Sequence, residues 1–156
     1  MALRLLWIAP PMALPRQDGL ECVVNGRAVA VAVAAVDRLV EYEVTPRLPL
    51  SQPWVGGLGT LDGEIVLSVR LAGAADAAGA RKGVLFLARG GPLRWTLEVE
   101  RVKGVVSVEP AEPTDRTGGE WTCPAGWLLP ARAEGRVLAW LDLPGVEAAL
   151  RERGGP

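Results

Sequence analysis

The chain has 156 residues, 49% of them hydrophobic and 22% charged, with a formal net charge of −1. That length suits one compact domain, or two very small ones sharing a core, and the composition excludes a disordered chain and the basic footprint of a nucleic-acid binder. Histidine is absent and the only cysteines, Cys22 and Cys123, have no CxxC spacing, so no metal site or cofactor is expected and both thiols are expected free in a reducing cytoplasm.

The first stretch, MALRLLWIAPPMAL, has Arg4 ahead of an apolar run, but Pro10-Pro11 interrupts the run and no cleavage site follows, which argues against a signal peptide. Residues 1–18 are read as a flexible leader whose Leu5, Leu6, Trp7 and Ile8 pack on the domain or dock a partner. No run reaches the ~20 apolar residues of a spanning helix, so direct membrane insertion is not expected.

From Leu20 to Val44, Asn25-Gly26 sits between two apolar runs and predicts a tight hairpin. After it Val29, Val31 and Val33 alternate with alanine, as in a strand with one face on bulky neighbours and the other against a close backbone. Ala34 to Val40 reads either as a short turn of helix or as a bent strand. Prolines 46, 49 and 53 then break the chain. WVGGLGTL (54–61) is glycine-rich but lacks the lysine and hydroxyl of a phosphate loop. Asp62-Gly63 marks a turn, and EIVLSVRL (64–71) is an apolar strand.

Ala72 to Lys82 is expected to be a surface loop or one loose helical turn, followed by a short strand, VLFLA (84–88). Trp95, Leu97 and Val99 alternate ahead of a valine-rich run to Val108. Residues 109–120 read as an acidic loop, and a Trp-rich segment then leads to a strand from Arg136 to Leu143.

A shift of 66 residues lays Val31, Val33, Val36, Leu39 and Val40 over Leu97, Val99, Val102, Val105 and Val106, and a shift of 72 lays Gly63–Leu71 over Gly135–Leu143. Two halves built on one strand plan are expected, with a continuous hydrophobic contact and a groove between two small barrels.

Three stretches resemble the CheW-like coupling domains of bacterial chemotaxis-type pathways: NGRAVAVAVAAVDRLVEYEVTPRLP, PWVGGLGTLDGEIVLSVRL and GPLRWTLEVERVKGVVSV. In that family the central stretch runs glycine, four residues, Arg-Gly and a strand ending in Asp-Leu; Gly57, Gly63, Ile65 and Leu71 stand where that form wants them. The resemblance implies an all-β fold, two five-stranded SH3-like barrels sharing a hydrophobic core. The domain is expected over 19–150, its halves formed by 19–71 with 136–150 and by 83–135. It also implies a non-enzymatic cytoplasmic adaptor, associated with receptor arrays, that holds the tip of a chemoreceptor hairpin in the inter-barrel groove. A second partner, the regulatory domain of a histidine kinase, would dock on a strand-end surface. The implied partner-binding residues are Val36, Gly57, Leu58 and Leu61 for the receptor, with Asp62, Gly63 and Arg70 beside them.

Two positions depart from the family form. Asp62 stands where arginine is usual and Arg70 where aspartate is usual. They are either independent surface changes or an ion pair with its sign reversed, and on either reading kinase coupling is expected to be weakened or re-specified.

Other chemistry is less well supported by these residues. The pairs Glu41/Glu43 and Glu98/Glu100 share strand faces as solvated charges do, and no cation is visible to activate Cys123 between Trp121 and Trp127. A nucleic-acid platform on an OB-type barrel, using those aromatics with Arg132 and Arg136, lacks a basic excess. The alternative to the adaptor is a generic small-barrel module binding a peptide or oligomer outside chemotaxis.

Overall fold

The computed structural model describes residues 16–45, 52–73, 79–87, 94–112 and 120–154. Their ten strands are β1 (Gln17–Val24), β2 (Arg27–Ala32), β3 (Val36–Val44), β4 (Val55–Leu61), β5 (Glu64–Val69), β6 (Gly79–Leu87), β7 (Arg94–Glu98), β8 (Arg101–Pro110), β9 (Leu128–Ala133) and β10 (Arg136–Leu141), followed by the helix α1 (Leu143–Gly154). Residues 1–15, most of the expected leader, lie outside the described residues, and Gln17 and Asp18 of that span already belong to β1.

Three two-residue turns organise the strands. At Asn25-Gly26, Asp62-Gly63 and Glu134-Gly135 both residues take positive φ, from +50° to +79°. That is the backbone of the hairpin turn whose twist matches its strands. The first two were legible from Asn-Gly and Asp-Gly. The third was not, because glutamate carries no preference for the left-handed region.

Strands β3 to β7 close one barrel in the order β3-β4-β5-β7-β6, here the central barrel. The others close a terminal barrel, β1-β2-β10-β9-β8. Each has a single parallel pair, β5 with β7 and β2 with β10. Closure leaves neither sheet an open edge.

The expected division of the strands is therefore corrected. Strands β3 to β7 form one barrel, and the second joins β1 and β2 to strands from the far end of the chain, instead of 19–71 with 136–150 against 83–135. The repeat nevertheless corresponds to real equivalence. The 66-residue shift carries β2 and β3 onto β7 and β8, the 72-residue shift carries β5 onto β10, and these strands hold matching places in the two barrels. Each repeat gives a hairpin to one barrel and three strands to the other. The break falls at the 3-10 turn Val33–Ala35, so the segment left open between helix and bent strand contains that turn and then β3.

Two further expectations change. Residues 79–82 are expected in a surface loop or a loose helical turn, but β6 already begins at Gly79 and pairs with β3 from Val44 back to Val36. The helix α1 was not anticipated. It buries Leu143, Val146 and Leu150, spaced to share one face, with Pro144 at its start, where a missing N–H costs nothing.

The core has three parts. Ala30, Val108, Ala131, Ala133, Leu138 and Trp140 fill the terminal barrel. That interior is narrow: a Cβ on Gly19 would lie 2.9 Å from Val108. Tyr42, Val44, Val66 and Leu85 fill the central barrel. Between the barrels runs a larger shared cluster, with Val29 and Val31 from one side and Val69, Phe86, Trp95 and Leu97 from the other. The Val/Ala alternation of β2 thus separates a bulky outward face in the shared core from a small inward face. Trp54 and Trp127 meet across it with ring centroids 5.0 Å apart, and Phe86 stacks on Trp95 at 4.5 Å. Truncating such an aromatic to alanine typically costs about 3–5 kcal/mol.

Candidate functional site

The residues singled out for partner binding lie on β3, on β4, at the β4–β5 turn and just after β5, without forming one surface. Val36 begins β3 and packs half-buried against the shared core. Gly57 is buried in an irregular step of β4 at φ +137°, where a Cβ would sit 2.7 Å from the Thr45 carbonyl oxygen. Leu58 is half-buried and tied to Thr45, whose backbone N–H donates to the Leu58 carbonyl at 2.9 Å. Leu61 packs partly into the central barrel beside Tyr42 and Val66. Asp62 and Gly63 form the exposed tip of the β4–β5 hairpin, and Ile65 just beyond is 69% exposed.

Asp62 and Arg70 do not pair with one another. Arg38 Nη2 donates to Asp62 Oδ2 at 2.6 Å on the surface. Arg70 turns inward and donates from Nη2 to Glu98 Oε1 at 2.7 Å, with both side chains largely buried. The reversed-pair reading is corrected: the two charges have separate partners, supplied by β3 and β7.

Glu98 is a second correction, since it was grouped with Glu100 as solvated. It is buried at one end of the central barrel, where Ser68 donates to its carboxylate and Tyr42 donates to Ser68 Oγ at 2.9 Å. Arg81 approaches from the other side, 3.5 Å away. Burial pushes the Tyr42 phenol up to about 12. Charges so enclosed and paired hold a barrel end in register more than they offer a reactive group. Glu100 is exposed, and its side chain accepts from the Gly26 N–H at 3.0 Å.

Cys22 and Cys123 are buried in the shared core as free thiols, without a disulfide. Burial raises their thiols to about 12 and about 11, far from a nucleophilic thiolate at neutral pH.

A groove between the barrels runs along β3, β6 and the start of β8. It encloses about 400 Å³ and is lined by Leu39, Val40, Glu41, Lys82 and Gly83 from the central barrel and by Val99, Arg101 and Val102 from the other side. Val36, Gly57, Leu58 and Leu61 are not among these lining residues. Backbone bonds brace the groove where the chain crosses between barrels: Val99 N–H donates to the Lys82 carbonyl at 3.1 Å and Glu100 N–H to the Val23 carbonyl at 2.8 Å. Leu39 is 53% exposed on its wall, and Val105, its counterpart in the repeat, is 62% exposed on β8. The signal for Leu39 was present in that alignment. Which side faced outward was not, because the turn at Val33–Ala35 resets the alternation.

Arg70 belongs instead to a neighbouring cleft of about 470 Å³, shared with Asn25, Arg81, Lys82 and Glu98. Among the described residues no cluster of three metal-binding side chains occurs, and no helix is long and apolar enough to cross a membrane.

With the fold in view, three comparisons bear on the chain. The solved structure of the scaffolding protein TtCheW from Thermoanaerobacter tengcongensis shares this architecture with a TM-score of 0.57, covering 81% of this chain and 88% of that one at 12% identity. No curated protein matches. The family model of the CheW-like domain matches residues 18–149, which spans both barrels and most of α1. The chain belongs to the CheW-like domain family, a family of chemotaxis adaptors.

Proposed function

We propose that this protein is a non-enzymatic cytoplasmic adaptor that couples a chemoreceptor to a histidine kinase within receptor arrays. The observation that carries the receptor half is the inter-barrel groove. Its walls come from both barrels and expose Leu39, while backbone bonds on either side hold them in place, so an amphipathic helix of a receptor hairpin finds an apolar seat there. The kinase half rests on the tip of the β4–β5 hairpin. Ile65 stands out beside Asp62-Gly63, as an apolar anchor at a strand end. Asp62 reaches that surface already neutralised by Arg38, so the kinase is met by an ion pair and its specificity is shifted from that of an arginine-bearing relative.

The test uses two single substitutions in the full chain. Leu39→Asp is expected to abolish binding of a soluble chemoreceptor hairpin while leaving binding of a kinase regulatory domain, and Ile65→Asp is expected to do the reverse. If the natural protein binds neither partner, a barrel module outside chemotaxis becomes the better reading.

A further inference from the structure

We infer that the helix seated in the groove carries carboxylates beside its apolar stripe, and that Arg101 and Lys82 select for them. This deepens the adaptor reading and rests on it, since it names the chemistry of the partner at the same groove. Most cations near the groove are already engaged. Arg38 is held by Asp62, Arg81 and Arg70 lie against Glu98, and Lys103 stands 3.6 Å from the buried Glu21. Among the described residues Arg101 and Lys82 have no ion-pair partner, and both line the groove. They are exposed and come from opposite walls, Lys82 from β6 and Arg101 from the start of β8.

One acidic side chain, Glu41, also lines the groove, directly across the β3–β6 ladder from Lys82, yet the two are not within ion-pair distance. The lining therefore carries a net charge of +1, from two cations and one carboxylate. Glu41 is the cross-strand neighbour of Lys82, whereas Arg101 stands on the opposite wall, so Arg101 contributes most of the preference. An apolar lining of Leu39, Val40, Val99 and Val102 with a cation at either wall repels a lysine-flanked helix and attracts a glutamate-flanked one, mainly by raising the rate of productive encounter. Because both charges are open to solvent, the preference weakens as salt is raised.

The experiment measures the affinity of the full-length protein for a soluble chemoreceptor cytoplasmic hairpin at low and at high salt. A second hairpin carries lysine in place of the carboxylates flanking its apolar stripe. Arg101→Glu is expected to weaken binding of the natural hairpin about tenfold at low salt, and Lys82→Glu somewhat less. Both losses should shrink at high salt, and the lysine-flanked hairpin should recover binding to Arg101→Glu. The uncharged variant Leu39→Asn, which removes apolar contact only, should weaken both hairpins alike. If Arg101→Glu and Lys82→Glu bind the natural hairpin undiminished while Leu39→Asn does not, the charge inference is overturned and the groove reading stands. If Leu39→Asn also binds undiminished, the groove reading falls and the inference falls with it.

Discussion

Arg38 of β3 donates to Asp62 at the tip of the β4–β5 hairpin across 2.6 Å, although 24 residues separate them. Asp62 holds φ +51° there and remains exposed. A charge that looked like a bare reversal of the family's arginine is therefore one half of a surface pair, and what a partner meets at this turn depends on β3 as much as on the turn.

Asp62 and Arg70 should behave independently when mutated. Asp62→Arg removes a solvated pair and a turn residue suited to φ +51°, and is expected to cost about 1 kcal/mol. Arg70→Asp places a second carboxylate against the buried Glu98 and is expected to cost roughly 3 kcal/mol or more. Urea unfolding of the two single variants and the double should show additive losses. A double variant more stable than Arg70→Asp by over 1 kcal/mol would mean that the two sites are coupled.

Gly57 is unsuited to probing binding without unfolding the protein. At φ +137°, with the Thr45 carbonyl 2.7 Å from where a Cβ would lie, even Gly57→Ala is expected to lose about 1–3 kcal/mol. Gly57→Trp, bulkier still, should lower the melting temperature markedly. An unchanged melting temperature for Gly57→Ala would show that β4 relaxes at this step.

Glu134 occupies the first position of a turn that favours asparagine or glycine, at φ +52°, and its contact with Arg136 is long, at 3.9 Å. Glu134→Asn is expected to stabilise the protein by about 0.5–1 kcal/mol. Thermal unfolding of this variant beside Glu134→Ala, which lacks the compensating preference, checks the assignment to backbone strain.

Acid sensitivity should be concentrated at Glu21. The Arg136 guanidinium, donating to both its carboxylate oxygens at 2.8 and 3.1 Å, holds it below the ordinary carboxylate range, outweighing the opposing effect of burial. A carboxyl group depressed on folding contributes stability that is present above its unfolded value and is lost as pH falls through the folded one. Stability should therefore decline below about pH 5, and less steeply in Glu21→Gln, which is weaker at neutral pH but has no such proton to take up. Parallel slopes for the two proteins between pH 5 and pH 3 would place the acid sensitivity elsewhere.

Features that depend on neighbours along the chain were legible before any fold was known. Asn25-Gly26 and Asp62-Gly63 specify their hairpins through backbone preference, and the Val/Ala alternation of β2 specifies which face meets a bulky core. The repeat identified strands that hold equivalent places. Which hairpin closes which barrel follows from long-range pairing, since β2 meets β10 and β1 meets β8 from opposite ends of the chain. The ionic partners follow from it too. Arg136 reaches Glu21 from 115 residues away, and Arg70 reaches Glu98 rather than Asp62. The groove needs one wall from each barrel, so Leu39, Lys82 and Arg101 become neighbours only when both have closed. A turn is set by the φ preferences of two adjacent residues, whereas a charge takes whichever partner the closed sheet brings within a few ångströms, and no local pattern records that distance.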